Sequence, residues 1–223
     1  MKRTKLLQRK LPDYTRGEEI MNMVTHIVGA GFGIIVLVLC LYRSIAGGNT
    51  VAIIGASIYG AMMIFLYAIS SIYHGLHLGT GKKVMQILDH CAIYFLITGT
   101  YTPILLSGFL PRYPAIAWGL LILQWGLGIL AATLTAIDLK KYNVLSMVCY
   151  IIMGWAILPF IKQTAEVMSA QGFYLLLMGG ILYTLGAILY GIGSKLRWIH
   201  SVFHIFVVAG SVLQFLSIYL YIL

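Results

Sequence analysis

His200 and His204 are spaced His-x-x-x-His. On a helix this puts both imidazoles on one face, one turn and about 6 Å apart along the axis. Ser70 and His74 repeat the interval on another apolar run and likewise share a face. Asp89 is the only Asp or Glu well inside an apolar run. An ionisable group at that depth is a candidate functional residue whose partners must be named. The reading that joins these residues is one metal ion held by His74, His200 and His204. Three nitrogen ligands with one open position describe a catalytic zinc site better than a closed structural one. No Cys-rich motif competes for the role, and imidazole suits zinc among the divalent metals.

Asp89 then stands beside the open position, where it can hold or deprotonate an activated water. Ser70, one turn before His74, can hydrogen-bond that water or a developing oxyanion. Glu19, Asn22 and His26, spaced i, i+3, i+7, share a face and supply an outer polar layer that orients the ligand rings. Plainer readings stand beside these. A lone His-x-x-x-His on an apolar helix is more often chance or interhelical hydrogen bonding, and a buried Asp can pair with a histidine or cap a helix. His77 and His90 lie near a loop and read as interfacial, and Glu18 reads as solvated in the first turn.

The elements that position these residues are membrane helices. The chain has 223 residues, 61% hydrophobic and only 9% charged, too little charge to cover a soluble domain. Apolar runs of about 20 residues recur along its length, each long enough to cross a bilayer. The expected fold is all-α, a seven-transmembrane helix bundle over residues 18–223 behind a basic arm, 1–17. The spans fall at about 22–42, 51–74, 86–108, 114–135, 142–162, 172–193 and 199–221, separated by turn and charge signals that include Gln163 to Gln171. The arm reads as either an interfacial helix from Lys2 to Leu11, ended by Pro12, or a disordered segment. Pro103 and Pro159 are expected to kink spans 3 and 5. Gly29-x-x-x-Gly33 permits a close crossing within the chain, or a seam between copies in a homo-oligomer. The first apolar run has full spanning length and no convincing cleavage site, so it reads as a helix rather than a signal peptide.

A net charge of +9 would suit a nucleic-acid partner, but the cations are spread over short loops and the arm. That spread sets orientation instead. With the N-terminus cytoplasmic, twelve Lys and Arg fall on that side, against three (Arg43, Arg112, Lys162) on the other. The C-terminus is then extracytoplasmic, in a multi-pass protein of the inner (plasma) membrane. All six histidines then fall at one membrane face, and this joint placement favours the metal site over the plainer readings. Cys40, Cys91 and Cys149 lie in separate runs and read as small core residues without a disulfide.

Three groups of residues together resemble the hemolysin III branch of the progestin and adipoQ receptor (PAQR) family, in its bacterial form. They are Glu19-x-x-Asn22-x-x-Thr25-His26, Ser70-x-x-x-His74 followed by Asp89, and His200-x-x-x-His204. The resemblance covers essentially the whole chain. It implies zinc held by His74, His200 and His204, with Asp89 and Ser70 beside the activated water. It also relates the fold to adiponectin receptors and alkaline ceramidases, which are associated with hydrolysis of lipid amides. His90 stands where the receptors tend to carry an aromatic residue. The expected activity is zinc-dependent hydrolysis of a lipid amide or ester in membrane lipid homeostasis. A membrane sensor with structural zinc, or a haemolytic pore, are the alternatives.

Overall fold

The first long helix begins at a capping box. Thr15 Oγ1 accepts from the Glu18 amide at 3.2 Å, and the Glu18 carboxylate accepts from the Thr15 amide at 2.8 Å. Two backbone donors that a helix start leaves open are thus satisfied together. The computed structural model describes residues 4–193 and 196–223. Lys2, Arg3 and Lys195, which contribute to the charge bias above, lie outside the described residues.

Helix α1 runs Arg16–Ala46, and a left-handed Gly48 (φ 62°) turns the chain into α2, Thr50–Gly75, capped by Asn49. Helix α3, Thr80–Pro103, passes directly into a π-helical segment, Ile104–Phe109. Helix α4 is Pro114–Ile137. Helix α5, Asn143–Gly154, is followed by the 3₁₀ turn Leu158–Phe160, then α6, Ile161–Gly193, and α7, Ile199–Tyr221. All the regular structure described is helical. Six stretches are long and apolar enough to cross a membrane, one of them the 50-residue stretch Asn143–Ile192.

Several boundaries differ from expectation. The continuous helix expected over 142–162 is replaced by the 12-residue α5 and a break. Pro159 sits in that break, inside the 3₁₀ turn after α5 has already ended at Gly154, and its missing N–H cannot serve an α-helical ladder through the break. The expected loop Gln163 to Gln171 is helical except at Ser169, whose φ of 62° interrupts α6. Pro103 marks the junction of α3 with its π-helical continuation, a common irregularity near functional sites. Over its described residues, 4–15, the arm is neither the interfacial helix expected over 2–11 nor detached. It contains one 3₁₀ turn, Leu6–Gln8, and lies across the bundle end.

Helices α1 and α2 pack with backbones in close approach. A Cβ at Gly29 would lie 2.6 Å from the Tyr67 ring, and one at Gly60 would lie 2.6 Å from Leu37 Cβ. The Gly29-x-x-x-Gly33 stripe is therefore used inside the chain. The principal core includes Tyr59, Met63, Tyr67, Ile104, Leu105 and Phe109, and a smaller cluster joins Cys91 and Tyr94 to Cys149 and Met153. All three cysteines are free and buried.

Candidate metal centre

His74 ends up on the last turn of α2, while His200 and His204 occupy the first turns of α7. The ligand nitrogens of the three lie within 4.8 Å of one another, and all three residues are buried. His200 Nε2 and His204 Nε2 are 3.1 Å apart. Nitrogens bound tetrahedrally to zinc at about 2.0–2.1 Å stand roughly 3.3 Å apart, so this pair already has the required spacing.

The tautomers follow from the partners. His74 Nδ1 lies 2.7 Å from Glu19 Oε2, so this nitrogen carries the proton and donates it to the carboxylate. His74 Nε2 is left as a bare lone pair, fully buried and without a hydrogen bond among the described residues. Such an orphan is costly unless something electrophilic fills the space before it. His204 Nδ1 faces the Asn22 carbonyl at 3.3 Å, which turns its Nε2 lone pair toward His200. The donor set therefore fits a zinc ion, on the evidence of the unpaired His74 Nε2 and the spacing of His200 Nε2 and His204 Nε2.

Helix α1 supplies the outer layer. Glu19 also pairs with Lys82 at 2.8 Å, and Lys82 donates to the carbonyls of His74 and Leu76. Lys82 is thus 3% exposed in the first turn of α3, not a loop charge that only sets orientation. Asn22 accepts from Ser201 Oγ at 2.6 Å, tying α1 to α7. His26 stacks on His204 with centroids 3.7 Å apart and planes 14° from parallel.

Glu18 corrects the expectation of a solvated residue. It is 3% exposed, and its Oε1 accepts the Trp198 amide at 2.7 Å. Trp198 is left-handed (φ 65°) and precedes α7, so a side chain from α1 caps the start of the helix bearing two ligands. Gly17 leaves room for the Trp198 ring, which a Cβ there would meet at 3.1 Å.

Ser70 and Asp89 do not join the histidine triangle. They line a cavity of about 150 Å³ that His26, His200 and His204 also line. Asp89 makes no hydrogen bond to another described residue. The cavity continues between α3, α5, α6 and α7 to Ile104, Phe173 and Gln214. His90, expected at the interface, turns inward instead: its Nδ1 bonds the Gln86 carbonyl at 2.8 Å and its Nε2 meets the Tyr190 hydroxyl at 2.9 Å. His77 is exposed beyond α2.

The model of the family described as "Haemolysin-III related" matches residues 14–215. The chain belongs to the haemolysin-III-related family. It is 39% identical over 206 residues to Hemolysin-3 of Bacillus cereus, covering 92% of each chain. It is 35% identical over 208 residues to a Hemolysin-3 homolog of Bacillus subtilis (strain 168), covering 93% of this chain and 96% of the relative.

Two aromatic residues escaped the sequence reading. Tyr14, in the arm, stacks on His200 at 4.9 Å and 25°. Tyr190, on α6, lies 5.8 Å from the same ring. Neither carries a spacing signal: Tyr14 is far from His200 in the chain, and Tyr190, close to it in sequence, stands on a different helix.

Proposed function

We propose that this multi-pass membrane protein is a zinc-dependent hydrolase of a lipid amide or ester, acting in membrane lipid homeostasis. The observation that carries this reading is the continuity of one cavity from the histidine cluster and the Asp89 carboxylate, unpaired among the described residues, into an apolar space between helices. A scissile carbonyl would sit at the polar end and the acyl chain in the apolar end.

His74, His200 and His204 would hold the ion. When bound there, zinc supplies Lewis acidity and lowers the pKa of water at its open position. Asp89 removes the proton from the attacking water and returns it to the leaving nitrogen or oxygen. Ser70 donates a hydrogen bond to the oxyanion that forms on the substrate carbonyl. Glu19 keeps His74 in the tautomer that presents Nε2.

The same reading takes the bundle as seven crossings, with the 50-residue stretch Asn143–Ile192 divided at its Pro159 and Ser169 breaks. Such a stretch is about 75 Å of helix, more than twice the hydrocarbon thickness. The Lys and Arg bias supports a cytoplasmic N-terminus in the inner membrane.

A sensor with structural zinc is the second reading, favoured by the way Glu19, Asn22 and His74 lock α1, α2 and α7 together. The experiment that separates the two is turnover of a lipid amide by purified protein, with zinc content measured alongside. Asp89→Ala that keeps zinc and loses turnover supports hydrolysis. Zinc-loaded wild type that turns over neither lipid amides nor esters, with a bundle that unfolds on zinc removal, supports the sensor. The relatives' name suggests haemolysis. Dye release from liposomes by the purified protein would support a pore, and intact liposomes would end that reading.

A further inference from the structure

Of the three proposed ligands, His200 is the one whose ring orientation lacks a hydrogen bond at its second nitrogen. His74 is fixed by Glu19 and His204 by the Asn22 carbonyl. His200 Nδ1 makes no hydrogen bond to another described residue. Ligand histidines are ordinarily fixed through that second nitrogen, so something else must hold this ring.

The face of the Tyr14 ring lies against it, 4.9 Å away and 25° from parallel, and reaches to 5.8 Å from the His74 ring. Tyr14 belongs to residues 4–15, which cross the end of the bundle as a strap with anchors on three elements. The Thr4 amide donates to Asp138 Oδ2 at 2.7 Å, after α4. Lys83, in the first turn of α3, donates to the Leu7 carbonyl at 2.7 Å. Arg197, before α7, donates to the Asp13 carbonyl at 2.6 Å. Arg9, midway along, is only 8% exposed. The strap lies against the histidine end of the site, and the cavity lined by His200 and His204 extends from there among residues of α3, α5, α6 and α7.

We propose that the strap is part of the metal centre: Tyr14 is a positioning residue that fixes the His200 ring and closes the site to water. Entry is then left to a lipid coming from the bilayer side. This rests on the metal reading above and adds a specificity element to it, since water-soluble amides and esters would be excluded.

The test measures zinc extraction by EDTA, a charged chelator confined to water, from protein in lipid nanodiscs. The variants are Tyr14→Ala, Tyr14→Phe and Lys83→Met. Tyr14→Ala should speed extraction by about tenfold or more, the size of effect that residues supporting a ligand usually have. Tyr14→Phe, which keeps the stacked face, should stay near wild type. Lys83→Met removes a strap anchor without touching the ligands and should also speed extraction. In parallel, zinc-free protein is treated with diethyl pyrocarbonate, with exposed His77 as internal reference. His200 should be slow in wild type and Tyr14→Phe and fast in Tyr14→Ala. Wild-type extraction and labelling in Tyr14→Ala would overturn the proposal, as would a Tyr14→Phe variant that behaves like Tyr14→Ala. If wild type holds no zinc, the metal reading falls, and the labelling alone decides whether the strap closes the site.

Discussion

The two walls of the bundle are built differently. The wall of α1, α2 and α7 carries the outer polar layer and all three candidate ligands. Glycines at 29, 33 and 60 let α1 and α2 approach until backbone meets side chain, and hydrogen bonds of Asn22, Glu19 and Glu18 tie α1 to α7, to α2 and to Trp198 at the start of α7. The side of α5 and α6, although α6 packs closely on α7 at Gly172 and Gly179, is interrupted at 155–160 and at Ser169, and its residues line much of the cavity. A ligand set must be held to a few tenths of an ångström, whereas a chamber for a flexible chain needs room. The tight wall suits the first task and the broken wall the second.

The largest break in this comparison comes from the ligands. His74→Ala or His200→Ala should take zinc from about one per chain to none by metal analysis, while Asp89→Ala keeps it. Ala187→Phe, which narrows the cavity along α6, should leave zinc in place. It should strongly reduce turnover of long-chain substrates and spare short-chain ones, so equal loss on both would argue against a chain-binding role. Stability should separate the walls as well. Gly29→Ala meets the Tyr67 ring and should lower stability by about 1–3 kcal/mol in thermal or chemical melts. Gly126→Ala inside α4, where a Cβ meets nothing within 4 Å, should leave stability unchanged or raise it by up to about 1 kcal/mol.

The smallest effect concerns the strap anchor and acid. The Thr4 amide, joined by that of Lys141, holds the Asp138 carboxyl below its ordinary range despite the opposing effect of burial. A depressed folded value means this contribution is fully present above the ordinary carboxylate pKa and is lost as pH falls through the depressed one. Intrinsic-rate-corrected hydrogen exchange at Thr4 should therefore be level through neutral and mildly acidic pH and rise only below the usual carboxylate range. Asp138→Asn should remove that acid step. A step near neutrality would assign the anchor to another group.

Much of the site was legible because its signals are local. His-x-x-x-His and Ser-x-x-x-His declare one helix face each, and Asp89 declares itself by contrast with an apolar run. Glu18, Lys82 and Tyr14 were misread or missed for the opposite reason. Nothing near Glu18 in sequence shows that its carboxylate caps a helix beginning at Ile199. Lys82 has the flanks of a loop charge, yet its ammonium reaches back to α2 and across to Glu19. The 155–160 break was placed inside a span because hydropathy does not report whether a ladder continues past Pro159.

By itself, the sequence determined that this is an all-helical membrane protein with a histidine-rich end. Apolar length and the 3.6-residue period are properties of each segment alone. Only the tertiary structure decided that histidines from two helices form one triangle and that a carboxylate on α1 selects the tautomer of His74. It also decided that the N-terminal arm lies over the ring of His200. These are contacts between segments as much as 186 residues apart, from Tyr14 to His200, and helix packing fixes them in a way no segment's own pattern can.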